Sequence, residues 1–214
     1  MTVNNKIAVI GGTGKSGKFL IKELVKAGFQ IKMLVRNPDR VPLHNPQIEV
    51  IIGDALDQST VNELVEDCDA VISTLGWGLP PSKHTISSEG TSNVLQAMKL
   101  HRITRYVVAS GINVDVEGDQ KGTSTKASTA WMYDNFPNST ADKQLEYELL
   151  NRSEVNWTLV RVPLITMDEE NKPINVSLED CPGDQISATS LARFLIDQLS
   201  ARRFFKQAPF IANQ

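Results

Sequence analysis

The chain has 214 residues, 41% hydrophobic and 22% charged, which is enough apolar content for one buried core, so a single domain spanning 1–214 is expected. Its formal net charge of -3 comes from 22 basic and 25 acidic side chains, without the basic stripe that a nucleic-acid backbone requires. No apolar run approaches membrane-spanning length, and Ile7 to Ile10 is too short for a signal peptide, so the expectation is a cytoplasmic protein without nucleic-acid or membrane partners.

Cys68 and Cys181 have no CxxC companion and read as free thiols. His44, His84 and His101 fall in different elements with no acidic or cysteine neighbours at ligand spacing, so no metal is expected. Asn138-Ser139-Thr140 matches a glycosylation sequon that has no use without a secretory signal.

In chain order, Lys6 to Ile10 predicts a strand that runs into the turn Gly11-Gly12-Thr13-Gly14-Lys15-Ser16-Gly17. An amphipathic helix follows over Lys18 to Gly28, with Phe19, Leu20, Leu24 and Ala27 on one face and Gly28 as its stop. Gln30 to Val35 and Ile48 to Ile52 predict the next strands. Thr60-Val61-Asn62-Glu63 has the form of a capping box opening a helix with Val61, Leu64 and Val65 inward. Ala70 to Leu75 is a strand, and the Gly/Pro-rich loop Gly76 to Lys83 leads to a helix near Ser87 to His101, striped by Val94, Leu95 and Met98. After a strand at Tyr106 to Ala109, the stretch 111–137 shows little periodicity and predicts an irregular lid or substrate loop. A helix near Thr140 to Arg152 with Leu145, Leu149 and Leu150, a strand at Trp157 to Val162, an irregular or short extended segment over 164–185, a helix at Ser190 to Ser200 and an edge strand at Phe210 to Ala212 complete the chain. Strands alternating with helices predict an α/β Rossmann-like, doubly wound parallel sheet flanked by helices, with a small irregular C-terminal substrate region.

The turn from Gly11 to Gly17 satisfies both GxxGxxG and GxGxxG between a strand and a helix, the order that a dinucleotide pyrophosphate needs. Gly14-Lys15-Ser16 resembles part of a nucleoside-triphosphate loop, but the glycine required five residues earlier is Val9, and Gly17-Lys18 is followed by Phe19. Beyond the next strand, Arg36 and Arg40 can pair with a 2′-phosphate, which argues for NADP over NAD; Asp39 stands close by, and the alternative is a pair of solvated turn charges. Asp54 and Ala55 follow the third strand, where the carboxylate either accepts from the adenine amino group or caps a turn. Leu75 and Gly76 let the backbone approach the ribose. Ser110 and Lys143 are the candidate catalytic residues, the hydroxyl orienting a carbonyl and the ammonium holding the nicotinamide ribose. Trp131, Met132, Tyr133 and Phe136 either wall a planar aromatic substrate or anchor the irregular stretch.

These residues, with Trp157-Thr158-Leu159-Val160-Arg161-Val162-Pro163, resemble the atypical (extended-type) short-chain dehydrogenase/reductase superfamily. Within it they are similar to the NAD(P)-binding group of NmrA-like regulators, flavin reductases and biliverdin reductase B. The resemblance covers nearly the whole chain and implies the fold and the cofactor. It departs at the superfamily's Tyr-x-x-x-Lys pair, because Ser139 stands four residues before Lys143 and reads as a helix cap. A serine hydroxyl cannot replace a phenolate in alcohol/ketone chemistry. What the resemblance then implies is an NADPH-dependent oxidoreductase that passes hydride to a conjugated aromatic acceptor such as a flavin or quinone. Its alternative is a non-catalytic NADP-binding sensor of the NmrA-like type that works through a protein partner. A sugar-nucleotide epimerase is disfavoured by the missing tyrosine and the short C-terminal region.

Overall fold

A computed structural model describes residues 5–41, 45–76 and 85–214, with the side chain of Arg40 outside that description. The expected loop Gly76 to Lys83, apart from Gly76, lies outside the described residues, as do His44 and His84.

The first half alternates strand and helix: β1 (Lys6–Ile10), α1 (Gly17–Lys26), β2 (Gln30–Val35), β3 (Ile48–Ile52), α2 (Gln58–Val65), β4 (Ala70–Ser73), α3 (Ile86–His101) and β5 (Arg105–Gly111). The second half runs α4 (Thr123–Asn135), α5 (Pro137–Asn151), β6 (Asn156–Val162), β7 (Leu164–Thr166), β8 (Ile174–Ser177), β9 (Gln185–Ser187), α6 (Ala188–Asp197) and β10 (Phe210–Asn213). Among the described residues the main sheet has eight strands in the order β3-β2-β1-β4-β5-β6-β10-β8, parallel except where β10 pairs antiparallel with β8. β7 and β9 form a separate parallel pair.

Strand alternation sorts the core into two layers. Ile7 and Val9 face a cluster with Phe19, Leu20 and Leu24 of α1 and Leu191 and Leu195 of α6. Ala8 and Ile10 face the other side, with Val61 and Leu64 of α2, Val94 and Met98 of α3, and Leu150 of α5. The order reverses between β1 and β4, which both begin connections leading to opposite ends of the sheet, so their carboxyl ends leave a crevice.

Five expectations change. Helix α2 starts at Gln58, not at a Thr60 cap: Asp57 is the N-cap, accepting from Ser59 N and Thr60 N. The stretch 111–137 is not irregular throughout, because α4 occupies Thr123–Asn135. Ser139 is not a cap, since α5 begins at Pro137, whose fixed φ suits a first helical position. The inward face of α5 is not its leucines alone: Thr140, Asp142, Glu146 and Leu150 are buried, while Leu145 is 44% exposed. Finally, β10 lies inside the sheet between β6 and β8, leaving β8, from the 164–185 segment, at the edge.

Candidate functional site

At the end of β1 the chain turns sharply. Gly11 has φ +83°, and a Cβ there would sit 2.8 Å from the Thr74 carbonyl. The amide of Gly14 closes the turn on the Gly11 carbonyl at 2.9 Å. A Cβ on Gly17 would come within 2.0 Å of the same carbonyl, so only glycine lets α1 begin directly against the turn. Gly12 is buried below, where a Cβ would meet Met33 Sδ at 2.7 Å. Gly12 and Gly17 therefore shape the turn from behind, while Gly11, Thr13, Gly14, Lys15 and Ser16 line a cleft above it. Ser16, the N-cap of α1, makes no side-chain bond to the helix amides, and no acidic residue stands in the first turn. The positive end of the helix dipole is thus left to an anion in the cleft.

The cleft has a volume of about 510 Å³ and opens at the carboxyl ends of β1 to β4. Leu34 and Arg36 reach it from the end of β2, Asp54 and Ala55 from the end of β3, and Thr74, Leu75 and Gly76 from the end of β4. Ile86, at the start of α3, closes the wall. Arg36 is exposed, and Asp54 also accepts Leu56 N at 3.0 Å, so its carboxylate makes a turn while facing the cleft. The turn, the adenine-side residues and Thr74 to Gly76 expected from sequence thus meet in one place; Ile10, Leu34 and Ile86 supply apolar wall atoms that carried no motif.

Ser110 and Lys143 do not line this cleft. Ser110, at the end of β5, is buried, and its Oγ has no hydrogen-bond partner among the described residues. Nearby Asn113 is also buried with its Nδ2 unpartnered, and its Oδ1 occupies the space above Gly111. The Lys143 ammonium donates to the carbonyl of Leu75, a cleft-lining residue, at 3.1 Å and to Glu146 Oε2 at 2.8 Å. Burial pushes the Glu146 carboxyl up, an effect that Lys143 and Thr91 offset only in part. Asp142 accepts from Ser87 N at 2.8 Å and Ser88 N at 3.1 Å, capping α3 from α5. Asp142 and Glu146 were not legible as site residues; the one available signal was their spacing, four apart from each other and from Leu150, which puts two acids on the face of an inward leucine.

No tyrosine occupies the position before Lys143. Tyr106 is buried, its hydroxyl 3.2 Å from Thr91 Oγ1 and its pKa pushed up by burial. Tyr133 lies on α4, also pushed up by burial and by Asp115, and Tyr147 packs edge-on against Trp157 at 5.9 Å. Trp131 stands 55% exposed, edge-on to Phe136 at 5.7 Å, Met132 and Phe136 are half-buried, and none of the four lines the cleft. Cys68 and Cys181 are free, with the buried Cys68 thiol pushed up to about 12.

The sequence matches the NAD(P)H-binding family over residues 11–202. The chain belongs to that family. An uncharacterized chloroplastic protein of Arabidopsis thaliana is 24% identical over 213 residues, 94% of this chain and 72% of its own. A phenylcoumaran benzylic ether reductase of the same plant is 32% identical over 97 residues, 41% of this chain and 32% of that protein. Among solved structures, a short-chain dehydrogenase/reductase from Veillonella parvula in complex with NADP superposes with a TM-score of 0.80 at 16% identity, covering 97% of this chain and 94% of that one. The fold of this NAD(P)H-binding protein is accordingly the Rossmann fold of the short-chain dehydrogenase/reductases. Among the described residues, no helix is long and apolar enough to cross a membrane, and no group of three or more His, Cys, Asp or Glu could hold a metal.

Proposed function

We propose that this chain is an NADPH-dependent oxidoreductase that passes hydride to a conjugated acceptor such as a flavin or quinone. The observation that carries the reading is the pairing of Arg36 with the glycine turn in one crevice, while Ser139 stands one helical turn before Lys143. The crevice fits a dinucleotide: its floor is a turn that a single Cβ at Gly17 would fill, and its anion end is a helix start without a competing acid. The amides of Thr13, Lys15 and Ser16 hold the pyrophosphate, and Arg36, assisted by Lys15 and Arg40, holds the 2′-phosphate. Asp54 and Ala55 contact the adenine, and Leu75 and Gly76 border the nicotinamide half. Lys143 and Ser110 serve at its reactive end, the ammonium toward a ribose hydroxyl and the hydroxyl toward an acceptor carbonyl. When bound, the reduced dinucleotide supplies a hydride. A ring reduced in this way takes its proton from water, so no phenol is required of this chain. The partial relative named as a benzylic ether reductase is consistent with reduction of an aromatic substrate.

The test is NADPH oxidation followed spectrophotometrically with FMN, riboflavin, quinones and biliverdin. Turnover on at least one is expected. Tight NADPH binding with no turnover on any of them overturns the reductase in favour of an NADP-dependent sensor acting on a protein partner. That second reading is supported by the inward tie of Lys143, whose ammonium already has two protein acceptors.

A further inference from the structure

Helix α5 buries acids and exposes a leucine. Thr140, Asp142 and Glu146 face inward with Leu150, while Leu145 is 44% exposed. A buried carboxylate is costly unless it is paired and hydrogen-bonded, so its presence in place of an apolar side chain calls for a reason. The cap on α3 accounts for Asp142. Glu146, which is 0% exposed, caps nothing.

Its two oxygens have different partners. Oε1 accepts from Thr91 Oγ1 at 3.1 Å, and Thr91 in turn lies 3.2 Å from the Tyr106 hydroxyl. Oε2 accepts from Lys143 Nζ at 2.8 Å. The carboxylate is therefore fixed from α3 on one side and pulls the lysine down on the other. A lysine in the middle of a helix ordinarily extends its flexible stem into water. Here the side chain is 13% exposed, and its ammonium is drawn at 3.1 Å to the carbonyl of Leu75, a residue that lines the cleft. Of its three N–H donors, two have partners among the described residues, and the third is left for a group at the cleft.

We propose that Glu146 is a positioning residue: it holds the Lys143 ammonium at the Leu75 edge of the cleft, so that the remaining N–H meets a ribose hydroxyl on the nicotinamide half of the dinucleotide. The inference rests on the reading of the cleft as an NADP site. It assigns no proton transfer to Glu146, only the direction of its neighbour.

The experiment compares the binding of NADPH with that of 2′,5′-ADP, which lacks the nicotinamide half, by calorimetry on the full chain. Lys143→Met and Glu146→Gln should each weaken NADPH by about tenfold, the scale of one charge-assisted hydrogen bond, and leave 2′,5′-ADP unchanged. The double variant should bind NADPH no more weakly than Lys143→Met alone, because Glu146 acts only through the lysine. Unchanged NADPH binding in Glu146→Gln, equal losses for both ligands, or losses that multiply in the double variant would each overturn the proposal. Should Glu146→Gln not fold, Thr91→Val frees one carboxylate oxygen without touching the lysine. A selective loss of a fewfold for NADPH supports the proposal, and no loss or a loss shared with 2′,5′-ADP overturns it. Binding of neither ligand to the unmodified protein would instead overturn the cofactor reading and this inference with it.

Discussion

At Arg36 the choice between two dinucleotides comes down to one charge. The guanidinium follows β2, is exposed, and lines the same cleft as Lys15, where a planar fork of donors can meet a phosphate in two parallel bonds. Replacing it with a carboxylate sets like charge against the 2′-phosphate and offers an acceptor to a 2′-hydroxyl. Arg36→Glu should therefore weaken NADPH binding by about tenfold or more while leaving NADH binding within about threefold, measured by titration of each. Equal losses would remove Arg36 from the 2′-phosphate. At this scale the sequence was legible where a residue type has one physical use. The glycines of 11–17 could be read because a positive φ and a 2.0 Å approach admit nothing else. Glu146 and Asp142 could not, because a carboxylate on a helix ordinarily marks a solvated face, and only the fold shows the amides and the ammonium they turn to.

Among the helices, α4 was the one hidden from the sequence, and its packing explains why. Of its residues only Thr125 is buried, so it has no apolar stripe whose period could announce a helix. The strands were legible for the opposite reason: β2 and β3 are short, mostly aliphatic runs of Ile, Val, Leu and Met, interrupted only by Lys32 and Glu49 and bounded by turns. At the first turn of α4 stands Asp180, whose Oδ2 would lie 2.8 Å from a Cβ on Gly122 and whose carboxyl is held below the ordinary aspartate range by Thr125 and the Gly122 amide. The Thr125 hydrogen bond foremost lowers the Asp180 pKa, so this support is present above the ordinary aspartate value and is lost as pH falls through the lowered one. Asp180→Ala should speed hydrogen exchange across 123–135 by about fivefold, corresponding to a cap of ~1 kcal/mol, and leave exchange in β1, β4 and β5 unchanged. A uniform rise across the sheet would mean that α4 is part of the cooperative core.

Over the whole molecule, the cleft is positioned by the first five strands, and what remains of the chain has to be fastened to them. The fastening is Arg161 on β6, which is 1% exposed. Its guanidinium makes two bonds to Asp119, at 2.6 Å and 2.8 Å, and donates to the carbonyls of Val114 and Ala208 while lying 3.5 Å over the Phe210 ring. One side chain thereby ties the connection after β5 to β6 and to β10, and β10 in turn carries β8. The sequence placed Arg161 in a recognisable strand motif, but the acid it pairs with is 42 residues away in a stretch without periodicity, so the pair could not be read before the fold. Removing the acid alone leaves a buried cation with only carbonyl partners, a loss of about 3–5 kcal/mol, whereas replacing both members by apolar groups of similar volume is close to neutral. Asp119→Ala should therefore shift urea unfolding by that amount, and Asp119→Leu combined with Arg161→Met should recover most of it. If the double variant were as unstable as Asp119→Ala, packing around Phe210 rather than the buried charge would be what holds β10 to the sheet.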